Sequence, residues 1–250
     1  MTAGGASTGA DRGQRRASYQ QARSRETKRV LVQAALALWR ANGYAETTVA
    51  DICRAAGVSK GLFYFYFPRK EDLLFEISML STDAARDTAR ELSHGPYEIS
   101  AVVTATLSSL ERSMRRNPPE LIMEMVLEGL RYEYRALTSS GEVPSRSTLI
   151  LGELFERAVA AGELPPHVDA ARLARLAQSL ISEGARHWAA GAYAGSSFTE
   201  VVSADIAVLI AGFRQLPPAK HVAPADHLAQ ADHLAQADHL AQADHLAQAD

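Results

Sequence analysis

Residues 48–74, TVADICRAAGVSKGLFYFYFPRKEDLL, hold three helix starts and two helix stops in close succession. Thr48 is placed to cap a helix, Asp51 stands where the acid of a capping box belongs, and Val49, Ile52, Cys53 and Ala56 share an inward face. Ala56-Gly57-Val58 breaks that helix. Ser59 caps the next one, which runs through Gly61, Leu62, Phe63 and Tyr64 toward Phe67 until Pro68 stops it. Upstream, Val30, Leu31, Ala34, Ala35, Leu38 and Trp39 recur at spacings of three and four, predicting an amphipathic helix over 25–42 that Asn42-Gly43 closes. Three short helices, the last two separated by Ala-Gly-Val-Ser, have the spacing of a helix-turn-helix. A small residue and a glycine in the turn let two helices cross closely, and the third helix can then enter a DNA major groove.

The charge distribution points the same way. Residues 1–70 hold twelve Lys or Arg against four acids, a net of +8, which leaves −11 for the rest of a chain whose total is only −3. One end suits a polyanion and the remainder repels it. Residues 1–24, dominated by Gly, Ser, Ala and Arg without an apolar period, are expected to form a disordered basic arm of the kind that can follow a DNA groove. Being polar and Arg-rich without an apolar centre, the first thirty residues do not read as a signal peptide, and no run of uncharged apolar residues reaches membrane-spanning length. The single cysteine, Cys53, excludes an internal disulfide; it reads as a small buried hydrophobe in a protein of the reducing cytoplasm.

The stretch from about Arg25 to Ser81 resembles the DNA-binding domain of the tetracycline-repressor (TetR) family. The likeness is carried by the capping threonine, the Ala-Gly-Val-Ser turn, Ser-Lys-Gly, the aromatic run Phe63-Tyr64-Phe65-Tyr66-Phe67 and the Lys-Glu helix start at fixed distances. It implies DNA contacts at Thr47, Thr48, Ser59, Lys60, Gly61, Leu62, Tyr64, Tyr66 and Lys70. The chemistry of those residues agrees. Lys60 is a mobile cation for a guanine edge or a phosphate, Gly61 lets backbone approach the bases, Tyr64 and Tyr66 offer hydroxyls to phosphate oxygens, and Lys70 can clamp another phosphate. Two positions depart from the family pattern. Leu62 stands where a small or polar residue is common, so reading by that position is apolar, as of a thymine methyl, and Phe65 lacks a hydroxyl that some members have. Phe63 and Phe67 are expected in the core.

Past Ser81 the resemblance rests on helix count, length and the phrase ERAVAAGEL at 156–164. Apolar periodicity predicts helices over 70–91, 97–116, 119–137, 145–161, 169–190 and 198–215, which brings the count to about nine and makes the protein all-α. With 47% hydrophobic residues the chain can bury two cores: a helix-turn-helix domain over 25–85 and a larger helical domain over 86–217. By resemblance the second domain binds a ligand and dimerises. Leu173, Leu180, Trp188, Val202, Ile206 and Leu209 form stripes suited to a dimer interface, although burial within one chain produces the same periodicity. Met123, Met125, Glu128, Arg131, Tyr132 and Phe155 are candidates for a ligand pocket, methionine because it adapts to varied shapes and the charged pair because it could orient a ligand.

Residues 218–250 are low in complexity, with ADHLAQ repeated four times from Ala225 to Gln248. Successive leucines at a period of six step about 240° round a helix and line no face. The repeated Asp-His pairs invite a metal-binding reading, but expansion of a short repeat explains the identical copies, and no metal site or cofactor is expected. Glycine loops that cradle phosphate, metal-binding helix motifs and nucleophile elbows are missing, which argues against an enzyme. The expected protein is a cytoplasmic, homodimeric repressor whose partners are a double-stranded, pseudo-palindromic operator and an unidentified small-molecule effector that releases it. Two alternatives stay open: an activator of the same fold, and a helical protein-interaction module whose basic end binds an acidic partner. Salt separates the latter, since DNA affinity falls steeply as salt rises.

Overall fold

The computed structural model describes residues 7–139 and 149–216, and among them every regular element is an α-helix. In chain order these are α1 (Ser7–Asn42), α2 (Val49–Ala56), α3 (Lys60–Tyr66), α4 (Lys70–Leu92), α5 (Ile99–Met114), α6 (Pro119–Ser139), α7 (Gly152–Ala160), α8 (Ala170–Ala189) and α9 (Phe198–Gln215). The ADHLAQ repeats lie outside the described residues.

Leu31, Ala35 and Trp39, spaced four apart, put one stripe of α1 into the core, and Gly43 ends the helix at φ 88°. The stripe explains the part of α1 that packs but not its length. A disordered arm over 1–24 is corrected from Ser7 onward, where the chain is already helical. No glycine or proline interrupts residues 14–42, and Ala, Arg, Gln, Glu and Lys favour helix, so backbone preference extends α1 beyond the point where its apolar face begins.

α2 packs on this support and α3 on α2, and α4 continues from them, lying against α1, α5, α6 and α7. One helix therefore belongs to both halves of the chain. It buries Leu73, Leu74 and Ile77 toward its start and Ala85 and Ala89 toward its end. α5 is tied to α9 through Glu111, whose carboxylate accepts hydrogen bonds from the backbone N–H and the hydroxyl of Thr199 at 3.0 and 2.6 Å. Burial raises the pKa of this carboxyl, but the Thr199 bonds and the neighbouring Arg115 outweigh it and hold the group below its ordinary value. α7 begins at Gly152, later than the periodicity from Ser145 predicts. Leu149, Ile150 and Leu151 are buried without being helical, an apolar run that periodicity cannot separate from helix, while residues 145–148 of the expected span lie outside the described residues.

α8 and α9 cross closely at Gly184. A Cβ there would run into Val202 Cγ2 well inside van der Waals contact and would also press on Tyr193 Oη and Phe198 Cε2, at 3.1 and 3.3 Å. Because valine is stiff at χ1, the neighbour cannot swing away cheaply. Gly184→Ala is therefore expected to destabilise the protein by about 1–3 kcal/mol, even though alanine is the better helix former by about 1 kcal/mol. Urea unfolding measures this; a variant as stable as the parent would mean that the crossing is looser than it looks.

The residues expected at a dimer interface divide by burial. Leu173, Val202 and Ile206 are fully buried within the chain itself, and Leu180, Trp188 and Leu209 are half-buried against its core. Within the monomer α8 lies against α6 and α7 and meets α9 at Gly184. The outer surface of the pair is different: Leu176 and Val208 are exposed at 39% and 74%, and Ala204, Ala211 and Gly212 stand exposed along α9.

Candidate functional site

Sequence sets each part of the helix-turn-helix locally. Thr48 caps α2 reciprocally: its hydroxyl accepts the Asp51 N–H at 3.2 Å, and the Asp51 carboxylate accepts from the Thr48 backbone at 3.1 Å. Hydrogen bonds from the Thr48 side chain and backbone keep the Asp51 carboxyl below its ordinary pKa. Gly57 closes α2 in the left-handed region, φ 67° and ψ 31°, which a side chain would disfavour. Two residues later the Ser59 hydroxyl accepts the Leu62 N–H at 3.2 Å and starts α3.

α3 is pinned by one face. Phe63 is fully buried and Phe67, just past its end, is 3% exposed; their rings lie 5.9 Å apart. The rest of the helix faces outward. Lys60 and Gly61 are exposed, Leu62 is 37%, Tyr64 50% and Phe65 77% exposed, and Tyr66 is half-buried. Cys53 lies beneath, and burial pushes its thiol up despite the Lys60 cation nearby, which makes it a poor nucleophile.

Two residues expected among the contacts are committed inward. Thr47 is 2% exposed, with its hydroxyl donated to the Gly43 carbonyl at 2.8 Å. Lys70 gives its ammonium to the carbonyls of Tyr44 and Thr47, at 2.9 and 3.1 Å, and holds it 4.1 Å above the Tyr44 ring. It ties α4 to the loop ahead of α2. Burial, with Glu71, Glu124 and Glu128 around it, pushes the Tyr44 phenol up, so this tyrosine stays neutral.

A cavity of about 220 Å³ lies between α4, α5, α6 and α8. Its wall is mostly apolar, from Phe75 and Met79 on α4, Met114 on α5, Met125 and Tyr132 on α6, and Ile181 on α8. Phe75 and Tyr132 stack at 4.0 Å with their planes 19° apart, joining α4 to α6 at the wall. Several of the polar side chains in the wall are engaged within the protein: Gln178 accepts from the Ile150 N–H, and the Ser113 hydroxyl donates to the Ser81 carbonyl. Two charged groups, Arg175 on α8 and Glu133 on α6, line the cavity without an ion-pair partner among the described residues. Asn117 lines it too, and its Oδ1 accepts from Arg40 Nε of α1 at 3.0 Å. One cavity side chain thus holds the helix on which α2 and α3 rest.

Residues 31–77 match the model of the bacterial regulatory proteins of the tetR family. The regulator BetI of Agrobacterium fabrum is 33% identical over 160 residues, covering 62% of this chain and 72% of its own length. The chain belongs to the TetR family. It is a helix-turn-helix transcriptional regulator. The repressor KstR of Mycolicibacterium smegmatis is 29% identical over 157 residues, 61% of this chain and 71% of that one. With YuxN of Bacillus subtilis the match is 42% over 57 residues, and the chain spans only 19% of that relative's length. Among solved structures, Thermus thermophilus FadR, a TetR-family repressor crystallised with lauroyl-CoA, superposes with a TM-score of 0.59 at 27% identity over 79% of this chain and 98% of that one. Salmonella enterica GusR, at 24% identity and a TM-score of 0.51, over 74% of this chain and 96% of that one, shares the fold.

In this TetR-family chain the ligand candidates divide. Met125 and Tyr132 line the cavity, and Met123, Glu128, Arg131 and Phe155 do not. Phe155 is fully buried core, and Glu128, 1% exposed, is enclosed by Arg135 and Arg131 at 2.6 and 3.4 Å. Burying a charge requires such partners, and the two arginines supply them. Sequence reading missed Arg40, Phe65, Asn117 and Arg175. The exposure of Phe65 could have been found from its place half a helical turn from Phe63. The others depend on pairing between distant elements, for which the chain carries no local signal. Among the described residues no helix is long and apolar enough to cross a membrane, and no cluster of His, Cys, Asp and Glu could hold a metal ion.

Proposed function

We propose that the protein is a repressor that holds a pseudo-palindromic operator as a homodimer through α3 and is released by an amphipathic anion with an unbranched acyl chain. The observation that carries the effector reading is the cavity, whose mostly apolar wall includes one guanidinium, Arg175, that has no ion-pair partner among the described residues, and one carboxylate, Glu133, on α6. An apolar chain gains by leaving water for that space, while a buried anion needs the cation. About 220 Å³ is below the ~300–1,000 Å³ usual for drug-sized ligands, which favours a slim chain over a polycyclic body. Lauroyl-CoA in Thermus thermophilus FadR is a ligand of this chemistry.

Dimerisation through the outer surface of α8 and α9, centred on Leu176 and Val208, would set two copies of α3 at the spacing of successive major grooves, about 34 Å. An effector that binds better to a differently spaced state draws the population away from DNA. DNA recovered by the protein's own binding provides the duplex for the test. Lauroyl-CoA and laurate are expected to lower its affinity at least tenfold and dodecanol far less, and Arg175→Ala should erase the difference between anionic and neutral chains. If no acyl compound shifts DNA affinity in a binding titration, the effector class is wrong.

A further inference from the structure

We propose that Phe65 reads pyrimidine C5-methyl groups in the major groove, so that thymine methyls specify part of the operator. Resting on α3 as the helix that faces duplex DNA, the proposal concerns a residue outside the family contact set expected from the sequence. At about 100° per residue, Phe65 lies about 200° round α3 from Phe63. Phe63 is fully buried, so Phe65 and Gly61, one turn apart, form the outermost ridge of the helix, with Lys60 and Tyr64 on one flank and Leu62 on the other. That ridge carries no hydrogen-bonding side chain.

At 77%, Phe65 is the most exposed large apolar side chain among the described residues, and its ring is not loose. It meets the Tyr66 ring edge to face at 5.1 Å and 85°, and Tyr66 is half-buried against the core. An oriented, exposed phenyl ring on a ridge flanked by a lysine suits a partner that is anionic at its edges and apolar where the ridge touches. In the major groove the group that rewards an apolar side chain is the thymine methyl; the other base edges present donors and acceptors that phenylalanine cannot satisfy.

The test changes the DNA, so it does not depend on a variant folding. A duplex selected by the wild-type protein from a random pool is resynthesised with deoxyuridine in place of every thymidine, removing methyl groups and leaving every hydrogen-bonding edge intact. At about 0.8 kcal/mol per buried carbon, the expected loss is roughly fourfold for each methyl covered and so roughly 15-fold across two half-sites. Phe65→Ala should lose most of the preference and keep only the part that Leu62 supplies from its flank, Phe65→Leu should keep more of it, and 5-methyldeoxycytidine at the sensitive positions should restore binding; an undiminished preference in Phe65→Ala would assign the methyl contact to Leu62 and overturn the proposal. Equal wild-type affinity for both duplexes overturns the proposal, and if Phe65→Ala is weakened all the same, the ring acts as a wedge between base pairs. Failure to enrich any duplex would remove the DNA-facing role of α3 itself, a result distinct from indifference to the methyl.

Discussion

Lys60→Ala combined with Tyr64→Ala is expected to abolish operator binding while leaving the protein folded and dimeric. Both side chains stand out from α3 on the same flank and are exposed, Tyr64 meeting the buried Phe63 ring only at an edge, 5.4 Å between centroids. The Ser59 cap and the buried Phe63 and Phe67 that hold α3 in place are untouched. A phosphate or base contact is worth about 1–3 kcal/mol, and the dimer repeats each loss in two half-sites, so the combined loss is about 4 kcal/mol or more, a factor of roughly a thousand. Losing one lysine per half-site should also lower the slope of log affinity against log salt by about two. Fluorescence anisotropy at several salt concentrations measures both, and a thermal melt checks the fold. Lys70→Ala is the informative contrast: with its ammonium given to Tyr44 and Thr47, it should lower the melting temperature and leave the salt slope alone. If the double variant still binds, the interface lies off α3.

The contrast between Lys60 and Lys70 shows what the sequence could carry. Both are lysines in the basic segment, each at the first position of a helix, and nothing local separates them. Where a feature is set by neighbours in the chain, it was legible: the Thr48 and Ser59 caps, the Gly57 break and the buried side of the aromatic run need only spacing, helical geometry and the cost of a left-handed φ. Where a feature depends on which distant element arrives, it was not. Leu173, Val202 and Ile206 have the periodicity of an interface, but only the packing of distant helices buries all three within the same chain. Glu128 and Arg131 read as an isolated charged pair, and only the structure adds Arg135, one turn from Arg131, as the nearer partner of the Glu128 carboxylate. Residues 7–24 show the opposite case: they carry no apolar stripe, yet α1 extends there on intrinsic preference and continuity with a packed segment.

The bond between Arg40 and Asn117 is expected to transmit the effector signal. Asn117, 8% exposed, is held by its own amide on the Ser113 carbonyl at 3.3 Å, and it faces the cavity while accepting from Arg40 near the end of α1. A hydrogen bond to a charged group contributes about 1.5–3 kcal/mol, the size of typical coupling energies between sites. An effector that pulls Asn117 or shifts the α5–α6 turn therefore competes with a bond strong enough to matter and weak enough to break. Asn117→Ala is expected to reduce the effector-induced loss of DNA affinity at least tenfold while effector binding persists, as followed by calorimetry. Arg40→Gln should do the same, and the two changes together should do no more than either alone, the non-additivity of partners in one contact. Asn117→Asp should act in the opposite sense: a carboxylate facing the Arg40 guanidinium strengthens the bond, so more effector is needed for release. If both neutral variants respond to effector as the parent does, the signal travels by another route, and the Phe75–Tyr132 stack between α4 and α6 is the next contact to break.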